Sequence, residues 1–227
     1  MKKFLLSIII FSCLSFRSFG HVDHYAKINY LEYELFRNNQ SIGYHKYVFN
    51  REGDNLSILS EVNFKITKMG VDLYKYFAKS EENYERGIFK SYSSKTKQNK
   101  KDRYVNISTD EINGDLIIEG SSYKGKADKE FIVGTWWNHE IIKAKAQISG
   151  ISGRIIEQTV TFIGKEEVKI EDKTYNTLHF NFKSSDETLP DSKKLNTDIW
   201  YEEGTYLWVK AAFDKTGYWE YRIKSNY

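Results

Sequence analysis

Two pairs of adjacent carboxylates are the residues of this chain best suited by type to acid–base chemistry. They are Glu81-Glu82 and Glu202-Glu203, and a glycoside hydrolase uses two such acids that face one cleft. Adjacent residues of a β-strand point to opposite faces of the sheet, so neither pair converges by itself. We therefore interpret both pairs as solvated strand residues and predict no catalytic residue. The alternative is an envelope hydrolase that acts on glycan with acids drawn from Glu81, Glu82, Glu202 and His139.

A metal site is the second chemistry that residue types suggest. His21, Asp23 and His24 lie together, and a histidine at a processed N-terminus would offer both its amine and its ring nitrogen. A third ligand, His45 or His139, would have to converge on them. Short terminal segments are usually disordered, so we predict no metal and no cofactor.

Aromatic side chains are in excess, with 17 Tyr, 14 Phe and 5 Trp. Several predicted strands carry rings on both faces, whereas a one-sided core needs them on only one. The second set of rings either packs on another part of a curled sheet or lines a concave site for a lipid-like ligand. We place Trp136, Trp137, Trp200 and Trp208 at the mouth of such a site, and we add Tyr44 as a fifth candidate ligand-binding residue. Solvent-facing rings beside acids, as in residues 200–203, would instead suit a glycan.

The elements that must position these residues begin with a hairpin at residues 30–49. Leu31, Tyr33 and Leu35 alternate with polar or flanking residues, which is the period of a strand with two unlike faces. Asn38-Asn39 predicts the turn, because asparagine tolerates the left-handed backbone that tight hairpins require. Gly43 within the second arm predicts a bulge or a close backbone approach.

The rest of the chain repeats this pattern of strands and turns. Residues 55–68 alternate most cleanly, and turn signals at Arg86-Gly87 and Asn113-Gly114 separate further strands. We predict a mainly β fold: a long, twisted antiparallel sheet curled into an open barrel or sandwich. One short helix is expected around residues 138–148, because Asn138 can cap it and apolar residues recur at helical spacing. Those apolar residues are Ile141, Ala144 and Ile148.

The first twenty residues have the layout of a secretory signal. Lys2 and Lys3 precede an apolar run over residues 4–14, and small residues precede a cleavage site after Gly20. We therefore expect residues 1–20 to be a signal peptide and residues 21–227 to form a single β-rich domain, periplasmic or secreted and not transmembrane after cleavage. The sole cysteine, Cys13, falls within the signal, so the processed domain would hold no disulfide.

Charge does not point to nucleic acid. The signal holds three of the 34 basic residues and no acid, which leaves 31 basic against 31 acidic residues in the processed chain. The basic run at residues 95–103 has no interleaved aromatic side chains that would stack on bases, and we interpret it as a solvated turn. We predict no nucleic-acid partner.

Three passages in order along the chain resemble an uncharacterised family of secreted bacterial domains. They are YELFRNNQSIGYHKYVF, TWWNHEII followed by Gly-Arg, and IWYEEGTYLWVKAAFDKTGYWEYRI. The resemblance implies a long, twisted antiparallel sheet that curls around a helical insert, similar to the half-barrels of periplasmic lipoprotein carriers. The family has no established activity, so the resemblance assigns no catalytic residue.

These patterns favour a non-enzymatic exported domain of the periplasm or envelope. Its curled sheet would bind or shield an apolar or amphipathic ligand, such as a lipid, or a segment of an envelope protein. A glycan-binding or glycan-hydrolysing envelope protein is the alternative. A structural module whose strand edges extend a partner's sheet is a third hypothesis.

Overall fold

A computed structural model describes residues 25–227 of the chain; the predicted signal and the segment His21 to His24 lie outside the described residues. Fifteen strands form one sheet. In chain order they are β1 Tyr30–Arg37, β2 Gln40–Glu52, β3 Asn55–Lys68, β4 Val71–Glu85, β5 Ile88–Gln98, β6 Lys101–Thr109, β7 Leu116–Gly120, β8 Lys124–Ala127, β9 Ile132–Val133, β10 Ala146–Ile148, β11 Ile155–Ile170, β12 Lys173–Ser184, β13 Asn196–Glu202, β14 Trp208–Asp214 and β15 Tyr218–Asn226. The mainly β prediction is confirmed.

The sheet curls because its two edges are joined by a short link. Its strand order is β8-β7-β6-β5-β4-β3-β2-β1-β15-β14-β13-β12-β11-β10-β9, so β8 and β9 are the edge strands. Only residues 128–131 separate those two strands in the chain. Neighbours are antiparallel except β9 and β10, which pair in parallel. The two edges therefore lie close together without pairing, and the sheet is an open, barrel-like curl.

The local signals of the sequence set the hairpins. Asn38 and Asn39 have φ of 49° and 62°, as a two-residue primed turn requires. Arg86 and Gly87 likewise have positive φ between β4 and β5. The basic run, predicted as a turn, is mostly strand: β5 ends at Gln98 and β6 begins at Lys101. Its lysines still face solvent in most positions.

Gly43 serves both purposes that the sequence suggested. The β1–β2 register shifts between Leu35 and Phe36, opposite Gly43, which marks a bulge. A Cβ at Gly43 would lie 2.1 Å from the backbone oxygen of Asn63 and 2.6 Å from the Cα of Phe64. Because backbone atoms of β3 occupy that space, only glycine fits here without moving the strand.

We expect Gly43→Ala to lower the free energy of unfolding by about 2–3 kcal/mol, the cost of overpacking against fixed atoms. Gly164→Ala is the control, since a Cβ at that bulge meets nothing within 4 Å. It should change stability by less than about 0.5 kcal/mol. Urea unfolding of both variants measures the difference, and equal midpoints would contradict the close approach.

The helix expectation at residues 138–148 was too long. A 3-10 helix spans only His139–Ile142, capped by the Asn138 side chain as predicted, and Ile148 belongs to β10. Ile141 and Ile148 are both fully buried. Apolar residues at this spacing therefore indicated burial correctly but did not distinguish a helix from a short helix followed by a strand. No helix among residues 25–227 is long and apolar enough to cross a membrane.

Most of the core lies on the face of the sheet that carries Leu31, Tyr33 and Leu35, all fully buried. The segment between β9 and β10, which includes Trp136 and Trp137, packs into the same apolar cluster. A second, smaller cluster joins Ile107 and Ile118 to Ile148. The link between the sheet edges thus continues into a segment that fills the interior of the curl.

Candidate functional site

A pocket of about 680 Å³ lies where β4–β7 meet the segment that enters the interior. Its walls are largely apolar and come from Tyr84, Ile88, Phe89, Leu116, Phe131, Ile132 and Val133. The polar and charged residues of the lining are Glu82, Thr109, Lys129, Glu130, Asn138 and Glu140. A concave pocket that combines apolar walls with polar groups is suited to a small ligand.

Glu82 is the buried acid at this pocket, with only 3% of its surface exposed. The Tyr84 hydroxyl donates to one carboxyl oxygen of Glu82. The other oxygen accepts from the Trp137 indole nitrogen at 3.0 Å and from the Thr135 hydroxyl at 3.2 Å. Of these three hydrogen bonds, the two from Thr135 and Trp137 tie β4 to the interior segment, whereas Tyr84 lies on β4 itself.

Asn138 extends this network from the interior segment. Its side-chain oxygen accepts from the backbone N–H of Glu140 at 3.1 Å and so caps the 3-10 helix. Its side-chain nitrogen donates to the Tyr84 hydroxyl at 3.4 Å. Asn138, the helix cap predicted from the sequence, therefore also binds the Tyr84 hydroxyl that donates to Glu82.

Burial raises the pKa of the Glu82 carboxyl above its ordinary value of 4.5, although the bonds from Tyr84, Trp137 and Thr135 act in the opposite direction. No basic residue neutralises it among the described residues that bond to its carboxyl. The acid thus favours its uncharged form more than an exposed glutamate does, which suits an apolar pocket.

The interpretation of Glu82 as a solvated residue is wrong. Alternation itself holds, because Glu81 is exposed while Glu82 is buried. The curl turns the Glu82 face inward, however. A signal for this was present: Glu82 is in phase with Tyr84 and stands opposite Ile58, an inward residue of the cleanest strand.

Trp136 and Trp137 enter the interior together but differ in exposure. Trp137 is fully buried and donates to Glu82 at the pocket. Trp136 is partly exposed and packs in T-shaped contacts against two rings. Its ring centroid lies 5.3 Å from that of Trp208 and 5.5 Å from that of Tyr221. Neither tryptophan is among the lining residues, so Trp137 supports the pocket through Glu82.

Trp208 belongs to the core. It is fully buried and stacks on Tyr33 with ring centroids 3.9 Å apart. His45 packs in the same ring cluster, and its Nε2 lies 2.8 Å from the Ser60 hydroxyl. Burial lowers the pKa of His45 to about 3, so the ring is neutral at physiological pH. Trp208 therefore does not lie at a mouth, contrary to the expectation.

Trp200 and Tyr44 lie away from this pocket. The Trp200 ring is stacked on His179 at 4.2 Å and has the Lys210 ammonium 4.7 Å from its centroid. His179 in turn contacts carboxylates of Glu166 and Asp198. The ring that was predicted as part of a glycan platform is thus 8% exposed and covered by neighbours.

Tyr44 donates its hydroxyl to Glu61 at 2.7 Å on the opposite face of the sheet from Glu82. The five candidate residues therefore do not form one site. Trp137 bonds to Glu82 at the pocket, Trp136 and Trp208 pack together, Trp200 stacks on His179, and Tyr44 lies on the opposite face of the sheet. Their assignment to a ligand remains a prediction.

The alternative catalytic acids do not form a pair. Glu81 and Glu82 point to opposite faces, Glu202 accepts from the Thr205 hydroxyl, and His139 stacks on Tyr206 at 4.4 Å. Within residues 25–227, no three His, Cys, Asp or Glu side chains are grouped to hold a metal ion.

Comparison with known proteins bears on the fold. A solved structure described as a beta-barrel-like protein of domain of unknown function DUF1849 from Brucella abortus superposes with a TM-score of 0.59 at 11% identity, over 88% of this chain and 97% of that one. Residues 33–224 match the sequence profile of a family described as domain of unknown function DUF6134. Comparison with curated proteins gives no match. The predicted resemblance to an uncharacterised β-rich family is confirmed.

Proposed function

Because this chain belongs to the DUF6134 family, whose function is unknown, we propose a function from the geometry of the pocket. In this proposal the protein is a non-enzymatic exported domain of the periplasm or envelope, and it binds an apolar or amphipathic ligand beside Glu82. The observation that carries the proposal is the pocket of about 680 Å³ with largely apolar walls. That volume falls in the usual range for small-ligand sites.

The position of the acid supports an amphipathic ligand. A ligand's chain would contact Ile88, Phe89 and Phe131, while its polar end would meet Asn138 and the Glu82–Tyr84 pair. Burial raises the pKa of Glu82 and so disfavours its charged form, which favours a neutral or hydrogen-bonding head group over a cation. The hydrolase alternative drew on Glu81 and Glu82, and these two acids point to opposite faces of the sheet, so this pair does not share one cleft as a glycosidase requires.

Ile88→Asp tests the pocket without disturbing the core, because Ile88 lines it and is 63% exposed. Ile163→Asp is the matched control, since Ile163 is 56% exposed and lies outside the pocket lining. With dansyl-undecanoic acid as fluorescent probe, we expect Ile88→Asp to raise Kd by about tenfold and Ile163→Asp to leave it unchanged. An equal loss in both, or no saturable binding to the wild type, would contradict the proposal.

The same preparation tests export. Protein recovered from the periplasmic fraction should have the intact mass of a chain that begins at His21. Native mass spectrometry of the same protein should detect co-purified lipid. Recovery only from the cytosol with residues 1–20 attached would contradict the export proposal.

A further inference from the structure

A second groove, of about 600 Å³, crosses the other face of β1–β6. Strand register places its charged residues in one cross-strand row: Lys46 opposite Glu61, Glu61 opposite Lys79, and Lys79 opposite Lys95. From Lys46 on β2 to Lys95 on β5 this row spans roughly 14 Å at the usual strand spacing. The groove is therefore long, open and polar along one side.

The neighbouring row supplies a different chemistry. Val48 stands opposite Leu59, Leu59 opposite Glu81, and Glu81 opposite Ser93. Val48 and Leu59 are 38% and 43% exposed and form a small apolar strip. Beyond them Glu81 and Ser93 offer hydrogen-bonding groups, and Asn106 continues the row on β6.

The charges of the first row are unbalanced at one end. Glu61 accepts from Tyr44 at 2.7 Å and pairs with Lys79 at 3.2 Å, and the Tyr44 bond is the main cause that lowers the pKa of Glu61. Lys95 has no carboxylate within ion-pair distance among the described residues, and it faces Lys79 directly. Like charges in that position destabilise a sheet, so an anion would be favoured there.

We propose that this groove binds an acidic polysaccharide. Lys79 and Lys95 receive a carboxylate of the chain, as charge complementarity requires. Glu81, Ser93 and Asn106 hydrogen-bond to sugar hydroxyls, while the strip of Val48 and Leu59 takes the apolar C–H face of a sugar ring. This site is separate from the Glu82 pocket and lies on the opposite face of the sheet, so it does not rest on the function proposed above.

Binding of sodium polygalacturonate, measured by isothermal titration calorimetry, tests the inference. We expect wild-type protein to bind it more tightly than neutral dextran of similar length, with an affinity that falls as salt rises. Lys95→Gln and Lys79→Gln should each weaken binding by about tenfold, the typical scale of a charge-assisted contact. Lys97→Gln is the matched control, because Lys97 is exposed on the same strand and face but outside the groove, and it should bind within about twofold of wild type.

Thermal unfolding of each variant separates binding from folding. Lys95→Gln removes a like-charge contact, so its midpoint should equal or exceed that of the wild type. Equal binding to dextran, or an equal loss in Lys97→Gln, would overturn the inference. So would binding to anionic phosphatidylglycerol vesicles with the same variant pattern and none to polygalacturonate, which would assign the groove to a membrane surface. Ile88→Asp should keep polygalacturonate binding, so failure of one proposal is distinguishable from failure of the other.

Discussion

Replacement of Glu82 by alanine is expected to lower the free energy of unfolding by about 3 kcal/mol. The change removes a buried side chain and leaves the Trp137 indole N–H and the hydroxyls of Thr135 and Tyr84 without their acceptor. Glu82→Gln keeps an oxygen for Trp137 and Thr135 and an amide that can donate to Tyr84. It should therefore remain within about 1 kcal/mol of the wild type at low pH.

The pH dependence of Glu82→Gln gives the sharper test. Because the folded pKa of Glu82 is raised above 4.5, the unfolded chain loses this proton first as pH rises. The folded state then binds more protons, and the carboxyl's contribution to stability is lost from about pH 4.5 upward through the folded pKa. The glutamine variant should gain stability relative to the wild type over that window. Urea unfolding between about pH 4.5 and 8 measures it, and a constant difference across the range would contradict the buried acid.

His45 should give the opposite dependence on pH. Its pKa is about 3 in the folded protein against an ordinary value of 6.5, because burial disfavours the charged ring. Between those values the unfolded chain binds the extra proton, so stability present above pH 6.5 is lost as pH falls. His45 as a whole residue retains partial exposure, and we expect a loss of about 1–2 kcal/mol between pH 7.5 and pH 5.

His45→Gln should abolish that loss. The glutamine amide can replace Nε2 in the bond to the Ser60 hydroxyl, and it does not titrate. His179→Gln is the control, since that ring lies outside the interior cluster and contacts Glu166 and Asp198. The loss of stability at acidic pH that we attribute to His45 should persist in this variant. Unfolding midpoints in guanidinium chloride at both pH values decide the outcome. If the Glu82→Gln variant, which lacks the opposing slope of Glu82, were as stable at pH 5 as at pH 7.5, the His45 assignment would be wrong.

Glu82 and His45 change stability in opposite directions from about pH 4.5 up to the folded pKa of Glu82 or pH 6.5, whichever is lower. In the wild type their slopes therefore partly cancel, whereas each single variant exposes the slope of the other group. The double variant Glu82→Gln with His45→Gln should show neither.

The sequence by itself determined most of the strands and turns and the two faces of those strands, although the basic run and the segment at residues 138–148 were assigned wrongly. Period-two alternation depends only on backbone geometry, so β1 and β3 could be assigned from their own residues. Turn residues likewise act locally: Asn38 and Asn39 adopt positive φ as predicted. Gly43 was identified for the same reason, since a missing side chain within a strand points to a bulge or a close neighbour.

Only the tertiary structure decided which face became interior and which distant residues met there. Glu82 lies 55 residues from Trp137 in sequence, and nothing local to either residue encodes their hydrogen bond. It forms because residues 128–131 join the two sheet edges and bring the following segment inside the curl. The same long-range closure buried Trp208 and Trp137, which carried exposed roles in the prediction. Alternation fixes the two faces of a strand, but the twist and closure of the whole sheet determine which of them water reaches.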